Sequence, residues 1–501
     1  MFVILSHLAI YLGCSTTFLI LAGIIKVFYN IYAHPLRKYP GPKFWGSSRL
    51  AWTWSMQSGY LHKHLHDFHL QYGPVVRIAP NELSYIDAQA WKDIYGPRHS
   101  HAAIEKNRIW VKQEEAEAHR TIVSVDEATH FRNRRALQGA FTEHAVTQHE
   151  IILQSIIGLM MQRFGERTSA GQDRTEVDIV EWLNFLAFDI SGELTFGESF
   201  DCVNNGRAHP WVEISCSFGK GLALMASVNF FSPLDKLLRY AMPGHVQKKM
   251  EYHIELAKQK GLQRLAMGHQ EGKQDYVGSI LQYNEEKGEK IPKEEILENM
   301  SVIIFAGSET TSTSMGSILN QLMRNPEAFR KLEDEIRNAF STEAEITNSK
   351  ATKLEFLTAV IKEGLRLGPP AAIAIPRVIP KDGENICGRW VPGGTLVSVN
   401  QYPTFRSPSN FSQPDCFIPE RWINSLPGDD QSSFHPFLFG RHSCIGLRLA
   451  WAEMRITLAR LLFTFDVSPA DDVKDFGEQQ TFIFWQKLPL KLVLQNRRRN
   501  F

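Results

Sequence analysis

Cys444 is the first residue of this chain whose type and setting can do chemistry. It lies in Phe437-Leu438-Phe439-Gly440-Arg441-His442-Ser443-Cys444-Ile445-Gly446, a glycine-punctuated loop that opens onto an apolar helix. No CxxC pattern and no Cys/His cluster surrounds it, so a zinc site lacks its other ligands. A lone thiolate at a helix N-terminus, held in a Gly-rich turn, suits axial ligation of a haem iron.

A second group lies in the middle of the longest helical pattern. Ala306-Gly307-Ser308-Glu309-Thr310-Thr311-Ser312-Thr313-Ser314 sits between Ile303-Ile304-Phe305 and Ile318-Leu319. Glycine costs about 1 kcal/mol against alanine inside a helix. Ser and Thr compete there for backbone hydrogen bonds. Glu309 is buried if this helix crosses the core, and a buried carboxyl needs a partner or a proton. One reading is a small-molecule site, with Gly307 giving room and Glu309 and Thr310 moving protons. The other is an exposed polar face. The third group is a charge pair: Glu363 and Arg366 share a helix face at i,i+3. Arg421 follows in Pro419-Glu420-Arg421-Trp422. Taken alone, such a pair is ordinary surface decoration.

The elements that must position these groups can be read from pattern. The chain has 501 residues and is 43% hydrophobic and 22% charged, which marks a globular body rather than a disordered one. A net charge of +1 gives no overall attraction to nucleic acid. The six cysteines (14, 202, 216, 387, 416, 444) have no repeating spacing, which argues against a disulfide scaffold and for a reducing compartment.

Met1–Ile25 contains no Asp, Glu, Lys or Arg, and Lys26, Arg37 and Lys38 follow it. This is long enough for a bilayer span, and the flanking charge puts the body in the cytosol. A cleaved signal peptide is the competing reading, but it would have a shorter apolar region and a basic start. Tyr39-Pro40-Gly41-Pro42 then reads as a stiff hinge. The expected organisation is an anchor over 1–29, a proline-rich hinge over 30–45 and one catalytic domain over 46–501.

Apolar residues at helical spacing predict helices over 148–163, 176–196, 246–266, 293–324, 326–340, 354–367 and 445–463. Pro292 and Asn325-Pro326 bound the central one. Strand-like runs fall at 75–78, 83–86, 395–399 and 490–494. The stretch 211–245 reads as a loop-rich apolar region that covers a ligand entrance, meets a membrane surface, or is plain core.

Taken together, these motifs in this order resemble the cytochrome P-450 family, specifically its membrane-bound fungal members, over nearly the whole chain. Phe437–Gly446, with Gly440, Cys444 and Gly446, resembles the cysteine-ligand loop. Ala306–Thr311 resembles the oxygen-activation motif, and Glu363, Arg366 and Arg421 the charged triad. His130-Phe131-Arg132-Asn133-Arg134 resembles the helix that contacts the haem propionates, and Pro376-Arg377 the segment supplying a further propionate arginine.

The resemblance implies a mainly α fold with small β-sheets, preceded by a single transmembrane helix. It implies haem b held by Cys444, with Phe437 shielding the sulfur and Ala306, Gly307, His130, Arg134, Arg377 and His442 around the cofactor. Glu309 and Thr310 would move protons for dioxygen activation. Electrons would come from NADPH through cytochrome P-450 reductase, with cytochrome b5 as a further donor. Arg132, Arg135, Arg441 and Arg448 are candidates for that docking face, or simply a solvated surface. The segments 98–122, 211–245, 371–375 and 481–483 would line the pocket for a lipophilic substrate such as a terpenoid, polyketide or alkaloid intermediate. The setting would be the endoplasmic reticulum membrane.

One position departs from the family pattern. Family members usually carry Arg two residues before the cysteine, and here that residue is His442. Histidine is a shorter donor whose charge depends on pH. His442 either still bonds a propionate, with His130, Arg134 and Arg377 carrying more of the charge, or turns away and only packs.

The leading functional reading is a haem-thiolate monooxygenase that hydroxylates or epoxidises a small molecule. The alternatives are a haem-thiolate isomerase or dehydratase, a non-catalytic haem-binding sensor, and a scaffold without cofactor. Asn299-Met300-Ser301 and Asn410-Phe411-Ser412 fit the glycosylation pattern, but both are expected on the cytosolic side and unmodified.

Overall fold

The structure is a computed structural model that describes residues 2–97, 104–111, 121–170, 173–240, 244–268, 275–287 and 290–497. Its first element is an apolar helix, Phe2–Phe28, continued by a wider helical turn over Tyr29–Ala33. Gly13–Ala33 is the one stretch among the described residues long and apolar enough to cross a membrane, with 21 residues and mean hydropathy 1.6. The helical path thus runs past the boundary expected at residue 29.

The proline-rich segment is strapped to the body. The Pro40 carbonyl accepts from the Arg77 N–H at 2.7 Å. The Arg77 guanidinium reaches back to the Asn30 carbonyl at 2.9 Å, and the Asn30 amide donates to the Ser47 carbonyl at 2.8 Å. One buried arginine therefore ties the end of the apolar helix and the Pro-Gly-Pro turn to the first strand. Both groups would be left unpaired if the segment swung away.

The body is mainly helical. The central helix, Lys293–Arg324, starts and stops where Pro292 and Asn325 predict. It packs along Ile179–Phe196, which is buried on nearly every side. Close approach explains a glycine here: a Cβ on Gly307 would stand 2.7 Å from Ser191 Oγ of that neighbour. The predicted helix 176–196 is shorter in fact. Residues Arg174–Asp178 form a strand, and Asp178 caps the helix by accepting from the Val180 N–H.

The helices Glu143–Ala170, Glu355–Leu367 and Leu447–Thr464 complete the core around the central helix. The small sheets lie at the margins. Five strands pair in the order Val75–Ala79, Glu82–Tyr85, Leu396–Val399, Arg377–Val378, Glu105–Lys106. Three more join Arg174–Asp178, Lys491–Asn496 and Phe465–Pro469, and Thr481–Phe482 pairs with Phe484–Trp485 as a short hairpin.

The region 211–245 corrects the expectation of a loop. Pro210–Asn229 is a continuous helix, followed by a turn and a short helix over Asp235–Tyr240. Pro210 sits at the first helical position, where its missing N–H costs nothing. Residues 241–243 lie outside the described part, as do 98–103 and 112–120 of the predicted pocket loop.

Candidate active site

The cysteine loop is built by local backbone bonds. The Cys444 N–H donates to the Phe437 carbonyl at 2.8 Å, and the Ser443 N–H to the Gly440 carbonyl at 3.0 Å. Gly440 has φ +73°, and a Cβ there would collide with the Tyr95 carbonyl, so no other residue fits without a shift. Gly446 caps the helix Leu447–Thr464 just beyond the sulfur.

Cys444 has accessible surface, yet protein surrounds it closely enough that burial pushes its thiol up. The Gly446 N–H and the Arg134 charge pull the other way. Arg134 spends part of its guanidinium fork on the cysteine loop. It donates to the Ser443 carbonyl at 2.7 Å and so holds the loop beside the cysteine.

Helix Glu127–Gln138 supplies one wall. Asp126 caps it by accepting from the Thr129 N–H at 3.1 Å. Glu127, His130 and Arg134 then fall on one face. His442 resolves its two readings in an unforeseen way. Its Nε2 lies 2.8 Å from Glu127 Oε2, and its ring stacks on His130 with centroids 4.1 Å apart. Nδ1 of both rings is buried with no hydrogen-bond partner among the described residues.

Burial lowers the His442 pKa against the pull of Glu127, and burial with the Lys106 charge takes His130 to about 3. The bond from His442 holds the Glu127 carboxyl below its usual range. Sequence reasoning missed Glu127. An acid in the first turn of a helix is too common to single out.

Lys106 was missed as well. It pairs directly opposite Arg377 across antiparallel strands. Like charges in that register repel. Arg377 is buried, and its Nε has no partner among the described residues. Burial and the Arg377 charge push the Lys106 pKa down to about 7. The Lys106 ammonium donates to the Ile122 and Val123 carbonyls at 3.2 and 3.3 Å, and Glu127 is the one carboxylate among the described charged groups acting on it.

On the central helix, Ala306 and Thr310 share an accessible side. Thr310 Oγ1 donates to the Ala306 carbonyl at 2.7 Å. Glu309, one residue away, points elsewhere. It is buried and pairs with Lys487 Nζ at 3.0 Å. Burial raises its pKa while Lys487 lowers it. The expected pair is therefore split between two faces of the helix. Gly307 does not give room for a ligand through its side-chain position, which faces Ser191 as described above.

The charged triad is a fully buried network. Glu363 and Arg366 bond twice, at 2.9 and 2.8 Å, and Arg421 Nε donates to Glu363 Oε1 at 3.1 Å. The Trp422 indole and the Ile418 N–H complete the carboxylate, and Arg421 also pairs with Asp429 at 2.6 Å. All four charged side chains have 0% exposure, so these are not surface decoration.

Residues from each of the four predicted pocket segments converge. Trp110, Ala223 and Ala226 join Ile373 and Phe482 in one apolar cluster, with Phe230, Ile375 and Ile483 packed on it. Phe484 of the hairpin rests edge-on against Phe305 of the central helix at 4.9 Å. The candidate docking arginines divide. Arg132 donates to Glu295 at 2.6 Å and is not free, whereas Arg135, Arg441 and Arg448 are exposed.

The sequence pattern of the cytochrome P-450 family matches residues 40–494. Over 485 residues the chain is 37% identical to the cytochrome P-450 monooxygenase astJ of Aspergillus oryzae, covering 95% of each. It is 37% identical to atr2 of Stereocaulon alpinum, covering 94% of this chain and 92% of that one. It is 35% identical to the averantin hydroxylase of Dothistroma septosporum, covering 96% and 90%. The chain belongs to the cytochrome P-450 family and is a cytochrome P-450 monooxygenase. Membership implies a haem-thiolate centre, a redox partner and a small-molecule substrate.

The residues present fit such a cofactor. Cys444 offers a reachable sulfur. The buried ring nitrogens of His130 and His442 and the Arg377 guanidinium offer unpaired groups beside the Lys106 charge. A planar dianion carrying an iron answers both sets.

Proposed function

We propose that the protein inserts one atom of dioxygen into a lipophilic small molecule by hydroxylation or epoxidation. The substrate class is a terpenoid, polyketide or alkaloid intermediate of fungal secondary metabolism, in keeping with the averantin hydroxylase among its relatives. The single observation carrying the lipophilic assignment is the apolar cluster where chain segments around residues 110, 223–230, 373–375 and 482–483 meet. Such a wall rewards burial of apolar ligand surface and offers few polar groups to fix an ionic one.

When bound, haem b supplies the one-electron and dioxygen chemistry. The protein's own residues do the rest. Cys444 would hold the iron as thiolate, and the Gly446 N–H and the Arg134 charge would stabilise that sulfur. Phe437, whose carbonyl accepts from the Cys444 N–H, would shield the sulfur. His130, His442 and Arg377, with Lys106, hold the cofactor's carboxylates, and Gly440 keeps the loop close to the Tyr95 carbonyl. Ala306 and Thr310 face the reacting side, and Thr310 Oγ1 passes protons that Glu309 gathers. Glu363, Arg366 and Arg421 brace the segment 405–429 against the core.

NADPH supplies electrons through cytochrome P-450 reductase, with cytochrome b5 as a further donor. Arg135, Arg441 and Arg448 form the basic docking face. The N-terminal helix places the protein once through the endoplasmic reticulum membrane with the body in the cytosol. Exposed Phe44, Leu50, Trp54, Leu234 and Leu237 support contact of the body with that surface.

The reading is tested by expressing the chain with a reductase and screening candidate metabolites for a change in the haem spectrum, then weighing products. A product heavier by one oxygen atom, labelled from isotopic dioxygen, is expected. A rearranged or dehydrated product of unchanged oxygen count contradicts it.

A further inference from the structure

Lys487 lies just past the hairpin Thr481–Phe482/Phe484–Trp485, in a segment without any recognisable motif. Its ammonium donates to Glu309 Oε2 at 3.0 Å, to Ser312 Oγ at 3.0 Å and to Asn184 Oδ1 at 2.5 Å. All three of its donors are thus used. The two side chains of the ion pair are 9% and 6% exposed. Glu309 and Ser312 come from the central helix and Asn184 from the helix Ile179–Phe196. Three elements meet on one amine.

A cavity of about 600 Å³ opens on one side of this amine, lined in part by Asp178, Glu181, Asn184, Lys220, Glu309 and Lys487. It is roomy and polar enough to hold water. On the other side of Lys487 a pocket of about 20 Å³, bordered by Thr313, Ser317 and Gln321, has room for a single water. Thr310 faces a different side, with its hydroxyl on the Ala306 carbonyl. The central helix therefore separates the outer cavity from Thr310, and the Glu309–Lys487 pair sits in the dividing wall.

We propose that Lys487 is the positioning residue of the proton route, holding the Glu309 carboxylate at the outer cavity until a proton from that cavity's water releases it toward Thr310. The step balances. A hydronium relayed from solvent through that cavity's water breaks one O–H bond and is left as water, an O–H bond forms on Glu309, and the ion pair is lost. Lys487 keeps its charge and its bonds to Asn184 and Ser312. Glu309 then passes this proton to Thr310 Oγ1 as that hydroxyl gives up its own proton toward the accessible side of the helix, and Glu309 returns to Lys487 as a carboxylate. The hairpin two residues earlier carries Phe482 and Ile483 of the apolar cluster, so a ligand seated there and the acid share one short stretch of backbone. This inference rests on the reading of Glu309 and Thr310 as a proton pair.

The test uses the full-length holoenzyme with reductase, NADPH and dioxygen, so no substrate need be known. Three quantities are read: the ratio of dioxygen reduced to water over dioxygen released as hydrogen peroxide, the solvent deuterium isotope effect on that ratio, and the infrared band of a protonated buried carboxylic acid in the resting protein. Lys487→Met is expected to lower the ratio roughly tenfold, the scale of one charge-assisted hydrogen bond. It should also enlarge the isotope effect and bring up an acid band that vanishes in the Lys487→Met/Glu309→Gln double variant. Lys487→Arg, which keeps the charge, should stay near the parent protein in all three.

If Glu309→Gln lowers the ratio and Lys487→Met changes nothing, Lys487 has no part in the route. If Glu309→Gln itself changes nothing, the proton-pair reading fails first. If both Lys487 variants lower the melting temperature and haem content alike with no acid band, Lys487 is a brace and the proposal is overturned.

Discussion

His442 Nε2 and Glu127 Oε2 lie 2.8 Å apart, joining the cysteine loop to the first turn of the helix Glu127–Gln138. This contact fixes the ring of the residue two positions before Cys444. With Nε2 occupied, Nδ1 is left for the cofactor's carboxylate. Glu127→Ala and His442→Ala are each expected to speed haem loss roughly fivefold, the scale of about 1 kcal/mol for one hydrogen bond. The double variant should lose haem no faster than the worse single one, because both remove the same device. Transfer of haem to a scavenging apo-globin measures the rate. Additive losses would mean that the two residues act separately.

The buried network gives a stability prediction. Arg421→Met removes the cation facing Asp429 and one side of Glu363 at 0% exposure, leaving Asp429 only its bonds from Ser412. Breaking such a pair costs about 3–5 kcal/mol. The variant should accumulate poorly and melt well below the parent, with any folded fraction retaining its haem spectrum. A melting temperature unchanged within a degree or so would contradict the role given to the network.

Glu453 sets a pH dependence. It is buried on the helix that follows Cys444, Oε1 has no partner among the described residues, and burial raises its pKa to about 8. The unfolded chain releases this proton near pH 4.5, the folded protein only near 8. Between those values the folded state binds more protons, so stability contributed by this group falls as pH rises. Glu453→Gln removes the slope. The variant should gain on the parent between pH 5 and pH 8, by at most about 5 kcal/mol. Melting temperatures of both proteins across that range measure it. A constant difference would show that Glu453 is ionised throughout.

Both glycosylation patterns should stay unmodified. Asn299 Oδ1 accepts from the Ile122 N–H at 2.7 Å, and the Asn410 amide donates to the Ile86 and Thr404 carbonyls. A glycan on either would break these buried bonds. Intact mass of the protein from a fungal host checks this.

Much of the fold was legible because local signals agreed. Pro292 and Asn325-Pro326 fix the ends of the central helix whatever packs on it. Runs such as 75–78 and 395–399 alternate too little to face water, and they pair in one sheet. The misreading of 211–245 has a clear cause. Ser, Gly and Lys scattered through Pro210–Asn229 weaken the helical period, and packing against Leu50–Ser58 and Gly244–Ala266 supplies what propensity does not.

In the site, residues with fixed spacing in one segment were readable, namely Cys444, the Glu309-Thr310 step and Glu363 with Arg366. Lys487, Lys106 and Glu127 were not. Their meaning comes from partners 178, 271 and 315 residues away, as Glu309, Arg377 and His442 show. No local pattern encodes that. What spacing did not convey is orientation: adjacent helix residues point about 100° apart, so Glu309 and Thr310 face different sides.

The account stands on Cys444 as a thiolate ligand. The reduced carbon monoxide spectrum of the full-length protein, compared with that of Cys444→Ser, tests this most directly. The parent is expected to show the long-wavelength band of thiolate-ligated haem, and the serine variant to lose it while keeping its helical content. A band at the position of imidazole-ligated haem in the parent, or a thiolate band that survives in Cys444→Ser, would contradict the account.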